Sequence, residues 1–173
     1  LIAPLAVFYT WLGLPVLDFP TPYASDGDAY LQAGLAARDA FKYAPRLTWM
    51  MAPHAPYTVG DATWERIVMY ARQLDLPIVT HVAETAAEVA ASVEQHGVTP
   101  LARLHRLGAT GPGFVGIHGV HLSPGDIDLL VQGDAVVGQQ RADGVELGVE
   151  VFGVDLDDLA HLSLCDGQGA IVL

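Results

Sequence analysis

From residue 47 to residue 138 the chain alternates between short apolar runs and segments whose apolar residues recur every three or four positions. Leu47-Thr-Trp-Met-Met51 is an apolar run that predicts a strand, closed by the proline-bounded loop Ala52-Pro-His-Ala-Pro-Tyr57. Between Asp61 and Asp75, the residues Trp64, Ile67, Val68, Ala71 and Leu74 share one helical face. Pro77 stops that helix, and the β-branched run Ile78-Val-Thr-His-Val82 predicts the next strand. Thr85-Ala-Ala-Glu88 has capping-box spacing: the threonine hydroxyl can accept a free backbone N–H and the glutamate can reach back. It opens a helix that ends at His96-Gly97. Thr99-Pro100 repeats the start signal and Gly108 the stop. Phe114-Val-Gly-Ile-His118 predicts a strand, Ser123-Pro124 a helix running to Gln132-Gly133, and Ala135-Val-Val137 one more strand.

The resulting order, β-α-β-α-α-β-α-β, is that of an α/β fold with a parallel sheet covered by helices. An open doubly wound sheet and part of a (β/α) TIM-type barrel both fit. The first would usually carry a glycine-rich phosphate loop. No G-x-G-x-x-G follows the first predicted strand (the string Gly111-Pro-Gly-Phe-Val-Gly116 leads into a strand instead), and G-x-x-x-x-G-K-[ST] does not occur, which favours the barrel. Ahead of this region, Leu1 to Leu17 carries no charge. A spanning helix needs ~20 apolar residues, and Pro4, Gly13 and Pro15 interrupt this one, so a buried strand and its loop are expected instead of a membrane segment. No basic start or small-residue cleavage site marks a signal peptide, and no later run is long enough to span.

Composition changes the picture in three ways. The 173 residues include 20 acidic and 8 basic side chains, for a net charge of -12, and Lys42 is the single lysine. Nucleic-acid binding needs cationic side chains to replace phosphate counterions, so that class of partner is excluded. A lone cysteine, Cys165, rules out an internal disulfide framework and fits a reducing compartment, so a cytoplasmic location is expected. Apolar residues make up 51%, too many for a disordered chain, whereas charged residues make up 16%, below the ~25% of an average soluble domain. Surface this thin in charge is expected to be covered by something else.

The candidate chemistry sits at the C-terminal ends of the predicted strands, where a barrel builds its active site. His54 follows the strand at 47–51, His81 and Glu84 lie at the end of the second, and His118 closes the strand that begins at Phe114. Each histidine alone fits a hydrogen-bonded structural role. Three on successive strands, with a carboxylate among them, point to a site. Neutral imidazole is a common zinc ligand. A carboxylate three residues beyond His81 can face the same cavity and move protons between water and a substrate nitrogen. His96, His105 and His121 are expected at the surface or in support, and His161 has no assigned role.

Three blocks carry a resemblance. Ala52-Pro-His-Ala-Pro-Tyr-Thr58, Pro77-Ile-Val-Thr-His-Val-Ala-Glu-Thr85 and Gly116-Ile-His-Gly-Val-His-Leu122 resemble the amidohydrolase superfamily, in order and spacing. The branch is that of methylthioadenosine/S-adenosylhomocysteine deaminases and triazine hydrolases. Gly13-Leu-Pro-Val-Leu-Asp-Phe-Pro20 and Tyr23-Ala-Ser-Asp26 resemble the same branch, so that about residues 12–137 are covered. The resemblance implies a (β/α)-barrel, metal-dependent hydrolase acting on carbon–nitrogen bonds other than peptide bonds. It implies hydrolytic deamination of an adenosine-type nucleoside, with triazine or other heterocycle hydrolysis or dechlorination as the alternative. By the same resemblance His81 is a metal ligand, Glu84 contacts the heterocycle and moves protons, His118 positions the attacking hydroxide, and His54 contacts substrate. The implied cofactor is a divalent metal, zinc ahead of iron. The implied partner is a small-molecule substrate, with no nucleic acid and no membrane, and a homo-oligomer in the full-length form. Zinc deaminases built on P-C-x-x-C are excluded by the single cysteine.

The chain also departs from that pattern. It contains no His-x-His pair and no Gly-Thr-Asp-Gly block, which leaves His81 as the one match among four expected metal ligands. After Val137 it reads Gly138-Gln-Gln-Arg141 where the family has a His-Asn-Pro type block. Val154-Asp-Leu-Asp-Asp-Leu159 resembles the family's last, non-barrel strands only faintly. The expected organisation is therefore a partial barrel over residues 1–138 and a divergent tail over 139–173. The chain is expected to be the middle of a larger domain, inactive alone. A truncated, non-catalytic binding chain is the alternative from another class.

Overall fold

The computed structural model of the chain describes residues 10–140 and 147–150. The elements are β1 (Thr10–Val16), α1 (Gly27–Phe41), β2 (Leu47–Pro53), α2 (Asp61–Leu74), β3 (Ile78–Val82), α3 (Ala86–His96), α4 (Pro100–Arg106), β4 (Phe114–His118), α5 (Pro124–Gln132), β5 (Val136–Gln140) and β6 (Leu147–Glu150). They build one sheet in the order β1-β2-β3-β4-β5-β6. The first five strands are parallel, and β6 pairs antiparallel with β5.

This order decides between the two architectures left open by the sequence. A doubly wound sheet reverses its strand order at a switch point. Here β1 to β5 succeed one another in chain order through helical crossovers, which is the winding of a (β/α) barrel. The parallel strands are five of the eight that a closed barrel uses. The sheet is α/β, as the patterning predicts, and no helix among the described residues is long and apolar enough to cross a membrane.

One face of the sheet packs under the helices. Leu14 and Val16 of β1, Met51 of β2, Ile78 and Val82 of β3, Phe114 of β4 and Val137 of β5 meet Tyr30, Leu31, Trp64, Ile67, Leu101, Leu104 and Leu130. Trp64, Ile67, Leu101 and Leu104 are fully buried. At ~25 cal/mol per Å² of apolar surface, each such side chain contributes on the order of 2 kcal/mol. α3 buries none of its residues, so the rim helix between β3 and α4 hangs on its caps more than on a core.

Polar clamps fix the loops that follow the strands. Asp26 caps α1 by accepting the Ala29 N–H at 2.9 Å. α2 begins at Gly60, which has no capping side chain, and Asp18 from the end of β1 supplies it. One Asp18 oxygen accepts the Gly60 N–H at 2.6 Å and the other accepts the Thr63 hydroxyl at 2.8 Å. Buried Arg103 of α4 reaches back to the β2–α2 loop, donating to Asp61 at 2.7 Å and to the carbonyls of Pro56 and Val59 at 2.5 and 3.1 Å. Asp126, also buried, accepts the Ser123 N–H at 2.9 Å and the Thr99 hydroxyl, joining the N-termini of α4 and α5.

Two elements were not anticipated. α1 hides its period because its buried face includes Gly27 and Gly34: Gly34 lets it lie close on β1, where a methyl would stand 3.3 Å from Leu14 Cβ, and Gly27 sits against Asp18 and against Thr63 of α2. β6 lies in the segment set apart as a tail. The rest of that tail, with His161, Cys165 and Val154–Leu159, falls outside the described residues, as do Leu1–Tyr9.

Candidate active site

The face of the sheet opposite the helices carries the alternate strand residues. Gly13 and Pro15 of β1, Ala52 of β2, Val79 of β3 and Ile117 of β4 line a hollow of about 290 Å³, with His54 and His81 at its rim. Side-chain alternation along a strand makes this inevitable: if Met51 and Val82 face the helices, Ala52 and His81 face away.

Parallel pairing brings the three strand ends together. β3 and β4 pair His81 with Ile117 and Val82 with His118, while Met51 of β2 pairs with Ile78. Ring centroids of His54 and His81 are 5.2 Å apart, and those of His81 and His118 are also 5.2 Å apart, the latter stacked at 23°. That spacing is close to the ~4.8 Å between neighbouring strands. Three of the four residues singled out in the sequence thus form a row across three strand ends, and Glu84 joins it, with Oε2 3.8 Å from His118 Nε2. His54 and Glu84 are exposed, and His81 and His118 half-buried.

The tautomers follow from the partners. His81 Nδ1 lies 2.8 Å from the His54 carbonyl, which can only accept, so Nδ1 carries the proton. In the neutral ring this leaves Nε2 as the bare lone pair, the form in which imidazole binds a metal. The His81 backbone N–H donates to the same carbonyl at 3.1 Å, so ring and main chain are fixed together. His54 Nδ1 lies 3.1 Å from Thr58 Oγ1, whose own hydroxyl donates to the Ala55 carbonyl at 3.0 Å. Burial, followed by the neighbouring His81, holds His54 below the ordinary imidazole range, while Glu84 opposes the shift.

The turns that present these groups use rare backbone. Ala83 has φ +52° and His118 φ +77°, in the left-handed region that L-residues seldom occupy, and Gly119 follows at φ +56°. Two bonds between the strand ends hold them: the Gly119 N–H donates to the Val82 carbonyl at 3.0 Å, and the His121 N–H to the Ala83 carbonyl at 2.9 Å.

Tyr57 belongs to the same rim and was missed. Its ring meets His54 edge-on at 6.1 Å, and desolvation, then the Glu88 and Glu84 carboxylates, raise its phenol above the ordinary value. The signal available was its place in the block that also carries His54. Glu88 departs from the capping box: it accepts the N–H groups of Ala83 and Glu84 instead of that of Thr85. His105 bonds Thr110 at 2.7 Å, His121 is exposed, and His96 lies beside a second hollow lined by Asp18, Phe19 and Tyr57, so none of the three joins the row.

The described residues contain no group of three or more His, Cys, Asp or Glu side chains able to hold a metal ion, and three protein ligands are the usual minimum of a catalytic zinc site. His81 is oriented as a ligand, but these residues alone do not make a metal centre.

Comparison with known proteins fits this arrangement. A 5-methylthioadenosine/S-adenosylhomocysteine deaminase from Teredinibacter turnerae is 39% identical over 126 residues, covering 73% of this chain and 28% of that protein. The like-named protein from Pyrococcus furiosus is 32% identical over 108 residues, 62% of this chain and 26% of the relative. The chain therefore spans less than a third of the length of these relatives. Among solved structures, a zinc-bound adenosine deaminase from Xanthomonas campestris superposes with a TM-score of 0.73 at 41% identity, covering 76% of this chain and 30% of its own. A zinc-complexed atrazine chlorohydrolase from Arthrobacter aurescens, at TM-score 0.67 and 16% identity over 78% of this chain and 32% of its own, shares the fold. The sequence profile of the amidohydrolase family matches residues 15–158, and with the strand order and the rim described above it shows that the chain belongs to that family.

Proposed function

We propose that the protein carrying this chain is a metal-dependent hydrolase that deaminates an adenosine-type nucleoside such as methylthioadenosine or S-adenosylhomocysteine. The observation that carries the reading is the row of His54, His81 and His118 at adjacent strand ends with Glu84 beside it, in a segment 39% identical to a deaminase of that name. In this reaction the oxygen of water bonds to the ring carbon bearing the amine, the carbon–nitrogen bond breaks and ammonia leaves. Glu84 carries a proton from the water to the ring nitrogen, and His118 orients the water. His54 contacts the substrate at the rim. His81 offers Nε2 to a divalent metal, and the zinc of the Xanthomonas deaminase supports zinc over iron.

The likeness to atrazine chlorohydrolase is one of fold alone, so deamination is preferred to triazine hydrolysis. The reaction is assigned to the cytoplasm, a location supported by the single cysteine. Residues 1–138 are the barrel part, and the segment from 139 on starts with the end of β5 and the β6 strand paired to it; because the rim holds one of the metal ligands, the isolated chain is inactive.

The test is ammonia release from adenosine, methylthioadenosine and S-adenosylhomocysteine by the intact, zinc-loaded protein. Glu84→Gln is expected to lower kcat by ~10²–10⁴-fold, the usual worth of a general acid–base group. His81→Ala is expected to abolish turnover. Absence of ammonia from all three nucleosides would sink the proposal, and turnover by the isolated chain would overturn its inactivity.

A further inference from the structure

We infer that Glu88 is a positioning residue that aims Glu84 at His118; the inference rests on the proposed role of Glu84 as the proton-carrying carboxylate. Glu88 lies on the first turn of α3. Its two oxygens are spent on main chain: Oε1 accepts the Ala83 N–H at 3.0 Å and Oε2 the Glu84 N–H at 2.9 Å. A capping-box glutamate would bond the N-cap residue, Thr85. Reaching one and two residues further back, this one grips the turn that carries Glu84.

That turn needs holding. Ala83 sits at φ +52°, a conformation a non-glycine residue keeps only when its surroundings impose it. Its carbonyl is fixed from one side by the His121 N–H at 2.9 Å. Its own N–H and that of Glu84 are fixed from the other side by Glu88. Without the carboxylate, the peptide between Ala83 and Glu84 is tied only at its carbonyl. The turn can then relax towards ordinary backbone angles, swinging the Glu84 side chain off its 3.8 Å approach to His118. Glutamine keeps one acceptor and turns an amide towards the second N–H, so it restores half of the grip.

The control is on the same helix. Thr85 accepts the Glu88 N–H at 3.1 Å and caps α3 without touching the Ala83 or Glu84 amides. Thr85→Ala therefore weakens the helix start but removes neither of the two bonds by which Glu88 grips the turn.

The experiment is steady-state nucleoside deamination by the intact, zinc-loaded protein, with amide hydrogen exchange measured on the same variants. Glu88→Ala is expected to lower kcat by ~10–10²-fold, the scale of a misaligned catalytic group, with KM within ~3-fold. Glu88→Gln should fall between it and the parent, and Thr85→Ala should keep kcat within ~3-fold. Exchange at Ala83 and Glu84 should speed up in Glu88→Ala. An unchanged kcat in Glu88→Ala, an equal loss in Thr85→Ala, or unchanged exchange at the two amides overturns the inference. If the parent protein releases no ammonia from any nucleoside, the deaminase reading fails by itself, and amide exchange still decides whether Glu88 braces the turn.

Discussion

Removing the Arg103 guanidinium separates two accounts of what holds the loop that carries His54 and Tyr57. Its side chain is 8% exposed and its carboxylate partner, Asp61, is 55% exposed. The Pro56 and Val59 carbonyls that share it belong to buried residues. In Arg103→Ala each carbonyl loses a charged donor, at about 1–1.5 kcal/mol apiece after partial rehydration. Asp61 regains water, so the lost ion pair adds under ~1 kcal/mol. The expected loss is about 3 kcal/mol, read as a lower urea midpoint at unchanged slope. Arg103→Lys keeps the charge but not the fork, and should cost about half as much, since one ammonium cannot serve two carbonyls and a carboxylate in those directions. Asp61→Ala should cost under ~1 kcal/mol. If Asp61→Ala matches Arg103→Ala, the ion pair and not the carbonyl bonding holds the loop, and the reasoning is refuted.

Asp18→Ala removes the borrowed cap of α2 and should cost ~1–2 kcal/mol in urea unfolding, with Asp18→Asn recovering part of it. Gly119→Ala places a methyl 2.4 Å from Val137 Cγ1 at φ +56°; it should cost ~2–4 kcal/mol and displace His118, lowering the urea midpoint and deaminase turnover together. Asp26 is held below its usual value of 3.8 by the Ala29 N–H and then the Ser25 hydroxyl. A depressed carboxylate pKa contributes stability that is fully present above 3.8 and is lost as pH falls through the lower folded-state value. The difference in urea midpoint between the parent and Asp26→Asn should therefore hold steady at neutral pH and shrink below 3.8.

Most of the sheet was legible because its signals are local. Thr85, Thr99 and Ser123 each accept a backbone N–H at the start of the helix they predict, and Ile78–Val82 begins and ends where its β-branched run does. The winding of the sheet was not legible, because periodicity reports which face a residue takes and not which strand lies beside it. α1 was invisible for a related reason. Gly34 contributes closeness to β1, and Gly27 closeness to Asp18 and Thr63, instead of apolar area, so the face that packs close carries a weak pattern. The site divides the same way. His54, His81, Glu84 and His118 stand out as chemically distinctive residues at strand ends. Asp18 and Arg103 act on groups more than forty residues away, which nothing in their own neighbourhood along the chain announces; Glu88 is legible as a residue that reaches back, but the capping-box spacing points to Thr85 and not to Ala83 and Glu84.

The rim owes its shape to the pairing of two adjacent turns. A left-handed Ala83 and a left-handed His118 would each be unfavourable by ~1–2 kcal/mol in an isolated loop. Here each turn supplies the bond that holds the other: the β4 turn donates the Gly119 and His121 N–H groups, and the β3 turn accepts them at Val82 and Ala83. Glu84 leaves the first turn and His118 is part of the second, so their 3.8 Å approach is a property of the pair. A change at either strand end should then move both groups, and a change at Thr58, on which the His54 ring rests, should move neither. Loss of coupling between Glu84 and His118 in Gly119→Ala, with His54 undisturbed by NMR, is the pattern this bracing demands.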